Sequence, residues 1–413
     1  MTVTFRRINY YLIIFSFILG GTVMITHLDA SPIREIYIRV LVLVLTIAGI
    51  ALEKPRVKSR IILGAITISV FLFFYTIARP YELIYYLTGY CIFIVAFYLF
   101  GYFIIKNHHI VELLDIYENI YVIICLVTLF FWIFGSILHI VPYLADMGYT
   151  FDKHHYITHN YFFLYFENPV QNVEQVVFGS SIARNCGIYC EVPAFAGRLL
   201  YAIAIEVFAH PKVNKKKLAV LLVTILSTQS AKALVVLIIT FGVMYLLENN
   251  NRLSKSKFLL KIIGTIIGGI VMSMAAVYLF EAKTAGTSYL ARANIMQAAI
   301  KTWLQYPIFG AGFNNLDAII INENLGHGYG GISMGLMVLL ACGGLYFVAF
   351  YLCAITLGFL GISRDNRTKY VCVVVMMLIN VFISNSIYQY PYLLMVSLLF
   401  ALYSTRNKNL KST

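Results

Sequence analysis

Charge is what this sequence has least of: Asp, Glu, Lys and Arg make up 12% of its 413 residues, while 61% are hydrophobic. A soluble globular, fibrous or disordered chain cannot carry that balance, because apolar runs longer than about 18 residues would stand in water. Also missing are a Walker-type phosphate loop, zinc-ligand spacing and a stretch polar enough for a soluble cytoplasmic domain, so ATP is not indicated as the energy source. There is no internal repeat and no low-complexity tract. No small-residue cleavage site follows the first apolar run, which therefore reads as a retained span. The acids expected on the outer face, from Asp29 to Glu323, never form a D-x-D or D-D pair. A divalent-metal sugar-phosphate site wants closely placed oxygen ligands, so the chemistry is expected to be metal-independent and to need no cofactor.

What is present is apolar run after apolar run. They occupy residues 9–26, 36–52, 61–78, 83–105, 117–141, 194–209, 218–247, 258–280, 334–360, 370–386 and 392–403. Short basic loops resist translocation and stay cytoplasmic. Starting with Arg6 and Arg7 inside and alternating places Lys54–Arg60, Lys106, Lys212–Lys217, Arg252–Lys261, Arg364–Lys369 and Arg406–Lys411 on that same side, which is most of the 31 basic residues. Topology thus accounts for the formal charge of +13, and a nucleic-acid partner is not required.

Alternation requires run 218–247 to cross an even number of times, since Lys217 and Arg252 flank it on the same side. Two full crossings need about 20 residues each. The polar "STQSAK", 227–232, divides the run into two short helices, expected to join near or below the outer surface. Irregular backbone at that depth is tolerated only where protein or a water-filled cavity satisfies its N–H and C=O groups. The sequence predicts an all-α fold: residues 1–413 as a single polytopic membrane domain, about twelve helical segments with one short broken pair, and both termini inside.

Two long outer loops are expected, 142–193 and 281–333. Long loops on a rigid scaffold are where functional groups concentrate. The first holds "HHYITHNYFFLYF" and "RNCGIYCEVPAFAG"; the second holds "RANIMQAAIKTWLQYPIFGAGFNN" and "ENLGHGYGG". His155 and His159 have i, i+4 spacing, but with no evident acid partner the segment reads as an interfacial amphipathic helix rather than a metal site. Cys186 and Cys190 are the cysteines expected outside, and a disulfide between them is geometrically demanding. The outer cations that stand beside Gly, Pro or Ser motifs are Arg184, Lys232 and Arg292. A guanidinium suits a phosphate or pyrophosphate bidentately and keeps its proton.

Three of these stretches resemble, in order, elements of the O-antigen polymerase and ligase superfamily. "RNCGIYCEVPAFAG" is similar to its R-x-x-G-x-x-x-E-P element, "STQSAK" to its S-[RK] helix break, and "RANIMQAAIKTWLQYPIFGAGFNN" to its R…W…P-x-x-G-x-G-F element. A following span carries the family's "GG" as Gly343 and Gly344. The likeness covers roughly residues 180–350. It implies a GT-C-like glycosyltransferase of a bacterial cytoplasmic membrane, in which a growing glycan leaves undecaprenyl pyrophosphate for the sugar of another lipid-linked unit on the outer face. Its partners would be the lipid-linked donor and acceptor, membrane lipid and a chain-length regulator protein. The His-Asn-type element of ligase relatives would fall near Ile332 and Ser333, so the resemblance favours a polymerase over a ligase. A transporter or flippase of the same lipid-linked sugars is the rival class, since broken helices also mark transporters.

A departing pyrophosphate gathers negative charge, so preorganised cations in a water-poor cavity should contribute most. Arg292 and Arg184, with Lys232, are the expected pyrophosphate ligands. The acceptor hydroxyl needs a base, for which His327 or Glu191 is available. Each has a plainer alternative: the arginines as interfacial anchors, Lys232 as a polar group bound to find a partner, His327 as a loop residue, Glu191 as a partner of Arg184 or a helix cap. Trp303, Pro307, Gly310, Gly312 and Phe313 read as structural, an anchor followed by a tight turn.

Overall fold

In the computed structural model the described residues are 2–29, 35–54, 58–151, 154–167, 176–177, 180–181, 183–247, 288–322, 335–383 and 387–406. Helices dominate: α1 (Thr2–Leu19), the single turn α2 (Met24–His27), α3 (Glu35–Leu52), α4 (Ser59–Ala78), α5 (Leu83–Lys106), α6 (Ile110–Ile137), α7 (Val192–Ala209), α8 (Lys215–Ser227), α9 (Ala231–Leu247), α10 (Ser288–Gln305), α11 (Leu316–Ile321), α12 (Gly335–Gly361), α13 (Arg367–Ile383) and α14 (Tyr390–Thr405). Among the described residues six of them, α3 to α7 and α12, are long and apolar enough to cross a membrane. This is a polytopic helical membrane protein.

The apolar side chains face two ways, as a bundle in lipid requires. On α4, Leu63, Val70, Phe73 and Ile77 are exposed, while Ile61, Ile68, Leu72 and Tyr75 are buried. Helices α5, α12 and α14 pack together at the centre; α1 packs on α3, α9 on α13 and α10 on α12, with the short α11 against α10 and α12. Without hydrophobic drive between helices in lipid, close packing and interhelical hydrogen bonds hold such a core. Tyr90 to Tyr351 at 2.8 Å and the Ser397 hydroxyl donating to the Ile94 carbonyl at 3.1 Å are two such bonds.

Among the described residues most predicted spans lie where expected, with two shifts; the expected span 258–280 lies outside the described residues. The first helix ends at Leu19 rather than near 26, because Gly20 and Gly21 follow it and residues 22–29 instead bond to the distant loop: Met24 N–H to Ile188 O, Cys190 N–H to Thr22 O and Asp29 N–H to Gly148 O. The fifth span begins at Ile110 rather than 117, with Glu112 in its first turn, where a helix N-terminus favours negative charge. The run 218–247 is indeed two short helices, α8 and α9, joined at 228–230.

The larger correction concerns "HHYITHNYFFLYF". It is not a helix but part of an antiparallel sheet, β1 (Ala145–Phe151), β2 (His154–Tyr161) and β3 (Tyr165–Glu167), with Gly148 opposite Ile157 and Tyr161 opposite Tyr165. The segment is rich in Tyr, Ile and Thr, which fit a pleated, half-buried surface. Its histidines do have acid partners from other segments, His155 with Asp29 at 3.3 Å and His159 with Asp146 at 2.6 Å. The hairpin tip, Phe162 to Leu164, remains exposed, with Phe162 beside Phe131 at the end of α6.

Candidate functional site

The site starts from a broken helix. At the end of α8, Ser227 and Thr228 turn their hydroxyls back onto the carbonyls of Thr224 and Ile225, at 2.7 and 2.6 Å. Gln229 then takes a left-handed backbone, φ 48°, and Ser230 accepts from the Ala233 N–H to begin α9. Ser and Thr compete with the backbone for such bonds, which is why they end helices readily.

Into that break fits the stretch 184–187. The Asn185 N–H donates to Ser227 O at 3.1 Å, and its side-chain amide donates to Ser227 Oγ at 2.9 Å. Its own oxygen accepts from the Gly187 N–H at 2.9 Å, and the side chain is fully buried. Arg184 Nε donates to Thr228 O at 3.2 Å. One guanidinium edge is thereby spent on a helix carbonyl, which fixes the plane of the cation. Lys232, half-buried, lies one turn further along, so two cations border one break.

The loop is held from behind as well. The Trp132 indole donates to Ala183 O at 2.6 Å, the Cys186 thiol to Phe166 O at 2.9 Å, and the Phe166 N–H to Gly187 O at 3.0 Å. Cys186 and Cys190 are separate buried thiols, with no disulfide between them. Glu191 stands at the N-cap position of α7 with extended backbone, but its side chain does not cap the helix amides; Pro193 opens the first turn.

Sequence reasoning missed Arg198, counted only as a cation within a span. It is 3% exposed, donates to Gln389 Oε1, and lies among Tyr117, Tyr121, Tyr189 and Tyr201. Tyr121 and Tyr189 hydroxyls meet at 2.6 Å beside it. Among the described residues no carboxylate pairs with this guanidinium. An arginine two turns into an apolar helix was the available signal, since such residues are rare unless they serve a site. Its fixed charge stands behind the 184–191 loop through Tyr189 and adds to the positive potential there.

The second motif is built differently. Residues 307–312 dock into α12, where Gly344 breaks the helix at φ 62°, ψ −165°. The Ala311 and Gly312 N–H groups donate to Ala341 O and Cys342 O at 2.8 and 3.1 Å, and the Leu345 and Tyr346 N–H groups donate to Pro307 O and Ile308 O at 3.0 and 2.9 Å. Gly310 and Gly312 both have left-handed backbone, and a Cβ on Gly310 would lie 2.3 Å from the Cys342 carbonyl carbon. Trp303 bonds Pro307 O at 3.1 Å, and Phe313 packs on Tyr86 and Tyr388, so these residues are structural as expected.

Arg292 lies in the first half of α10; its side chain, His327 and Glu323 are outside the described residues. The juxtaposition the structure makes is that of Arg184 with the Lys232 break. A separate cleft of about 430 Å³ lies between α3, α4 and α5, lined by Ile50, Ile62, Ile66 and Phe103 among others; it is apolar and shares no lining residue with that break.

Residues 218–332 match the family model described as O-antigen ligase. This segment runs from α8 through the break and α10 to the second long loop. The match supports a membrane enzyme of the O-antigen ligase and polymerase superfamily and does not separate the two. No curated protein matches the chain.

Proposed function

We propose that this protein is a Wzy-type polysaccharide polymerase, a metal-independent integral-membrane glycosyltransferase that lengthens O-antigen or capsule chains. The growing glycan passes from undecaprenyl pyrophosphate to the non-reducing-end sugar of another lipid-linked repeat unit. The observation that carries this reading is the docking of Arg184 and Asn185 onto the 227–230 break beside Lys232. It is a preorganised cationic edge where two short helices meet, and the break and Lys232, though not Arg184 and Asn185, lie inside the segment that matches the family model.

In this reading the guanidinium of Arg184, oriented by Thr228 O, meets the diphosphate as the anomeric bond breaks, with Lys232 and Arg292 completing the clamp. Removing one such preorganised donor typically costs 10²–10³ in rate. The acceptor hydroxyl loses its proton to Glu191 or His327. The sheet β1–β3 and the loop 183–191 then face outward, with both termini in the cytoplasm of a bacterial inner membrane, and the polyprenyl tails approach through the bilayer.

A ligase is the second reading, favoured by the description of the matching family. Purified protein in lipid, supplied with one defined undecaprenyl-pyrophosphate repeat unit, should yield a ladder of longer lipid-linked chains. Transfer only onto a lipid A core acceptor would establish the ligase. Movement of the lipid across vesicles without any transfer would establish a flippase and remove the polymerase reading.

A further inference from the structure

On the face opposite the sheet, three buried carboxylates, one single and two paired, are satisfied in contrasting ways. Glu53 accepts from the Tyr10 hydroxyl at 2.5 Å, from the Asn107 amide at 2.6 Å and from His109 Nδ1 at 2.8 Å. Its negative charge is fully met by donors. Glu118 on α6 and Glu206 on α7 are 0% and 1% exposed, and their carboxylates lie against each other. Glu206 uses one oxygen to accept the Asn214 N–H, while its second oxygen, shielded from solvent, has no hydrogen-bond donor. His210 Nε2 reaches into the same space, 3.0 Å from Glu118 Oε2 and 3.5 Å from Asp115 Oδ1. Single ligand atoms of Glu118, Glu206 and His210 all fall within 4.8 Å of one another.

Two carboxylates in contact and out of water repel unless something positive stands between them. Lys217 meets Glu118 Oε1 at 3.1 Å and leaves the Glu206 oxygen unserved. The helix is also specially shaped here: residues Ile205–Ala209 form a π turn, an element that often marks functional positions. Carboxylate oxygens with one imidazole nitrogen are the donor set of a divalent first-row transition metal.

We propose that Glu118, Glu206 and His210 form a binding site for a divalent transition metal such as Zn²⁺, with Asp115 at its rim. The site ties α6 to the end of α7 and to the turn that precedes α8, the helix that runs to the Ser227 break. It lies on the face opposite Arg184, so it takes no part in the transfer itself and does not depend on the polymerase reading.

The test uses the full chain in detergent, stripped with chelator and then titrated with Zn²⁺, Mn²⁺ or Mg²⁺. Expected are one tightly bound Zn²⁺ per chain after gel filtration, measured by mass spectrometry of the metal, a rise in Tm, and a cobalt visible spectrum with tetrahedral intensity. Glu206→Gln and His210→Ala, the latter at a partly buried side chain, should each lower zinc affinity by at least tenfold. Lys217→Met, which removes the competing ammonium from Glu118, should bind zinc as tightly or more so, and this variant keeps the test decisive if Glu206→Gln fails to fold. Zinc retention that is unchanged in His210→Ala, or no retained zinc in both the parent and Lys217→Met, would overturn the site. A Tm that responds to pH through Glu206 but to no metal would assign the pair a shared proton instead.

Discussion

Two helical stretches of this protein are interrupted, and the interruptions are repaired by different means. At Gly343–Gly344 the repair is backbone to backbone, the 307–312 turn giving and taking four hydrogen bonds with residues 341–346 at a distance no Cβ would allow. At Ser227–Ser230 side chains intervene: Asn185 on Ser227, Arg184 on Thr228. Both solve the same problem, unpaired peptide groups in a region without water. The first solution leaves nothing for a ligand to use. The second fixes a cation at the break through the Arg184 Nε bond to Thr228 O, and the proposed anion chemistry rests on that placement.

The backbone-to-backbone repair is most vulnerable at its glycines. In Gly344→Val the new Cβ would lie 2.4 Å from Ile308 O, and φ 62°, ψ −165° is a conformation open essentially to glycine alone. Strain of this kind costs about 1–3 kcal/mol before the clash is added. The expected outcome is loss of monodisperse protein in detergent chromatography; a variant that folds and works normally would mean the 307–312 turn does not set the break. Next in size is Arg184→Ala, which should lower transfer by roughly 10²–10³-fold in the ladder assay. Because the lost bond to Thr228 O is worth only about 1 kcal/mol, Tm should hardly move. Arg184→Lys keeps the charge and loses the fork, so a partial rate is expected.

Much of this was legible in the sequence, and the reasons are physical. Hydropathy placed α3, α4, α5 and α12 within two residues of their observed bounds, since the bilayer fixes helix length. The STQSAK break was visible because Lys217 and Arg252 demanded an even number of crossings. What stayed hidden depended on distant partners. The His155 and His159 segment became strand because Asp29, Asp146 and β1 are there to pair with it, and no local pattern announces that. Arg198 was passed over because a cation inside a span reads as topology noise until the tyrosines around it are seen. The docking of 307–312 onto Gly343–Gly344 needs two stretches 30 residues apart, and only their glycines hinted at it.

A smaller effect tests the polar break by itself. Asn185→Ala removes the donor to Ser227 Oγ and the acceptor for the Gly187 N–H in a fully buried place, at about 1–3 kcal/mol for the groups left unpaired. Tm and transfer rate should fall together, because the loop that aims Arg184 loosens. That pattern differs from Arg184→Ala, where rate falls alone, and equal Tm losses in the two variants would mean that Arg184 is a structural strut rather than a ligand for anions.

The smallest expected change is at the rim of the rigid break. Trp303 donates to Pro307 O from the solvent-accessible side, and the same carbonyl also accepts from the Leu345 N–H at 3.0 Å. In Trp303→Phe the carbonyl therefore keeps one donor, and an aromatic ring of similar placement remains. The loss should sit near the lower end of the ~0.5–1.5 kcal/mol range for a hydrogen bond, visible as a slight drop in Tm with the ladder unchanged. A large drop would show that the 307–312 turn is pinned from outside by the indole. Its backbone bonds to residues 341–346 would then be a consequence of that anchor, and the contrast between the two breaks would have to be drawn between two side-chain repairs.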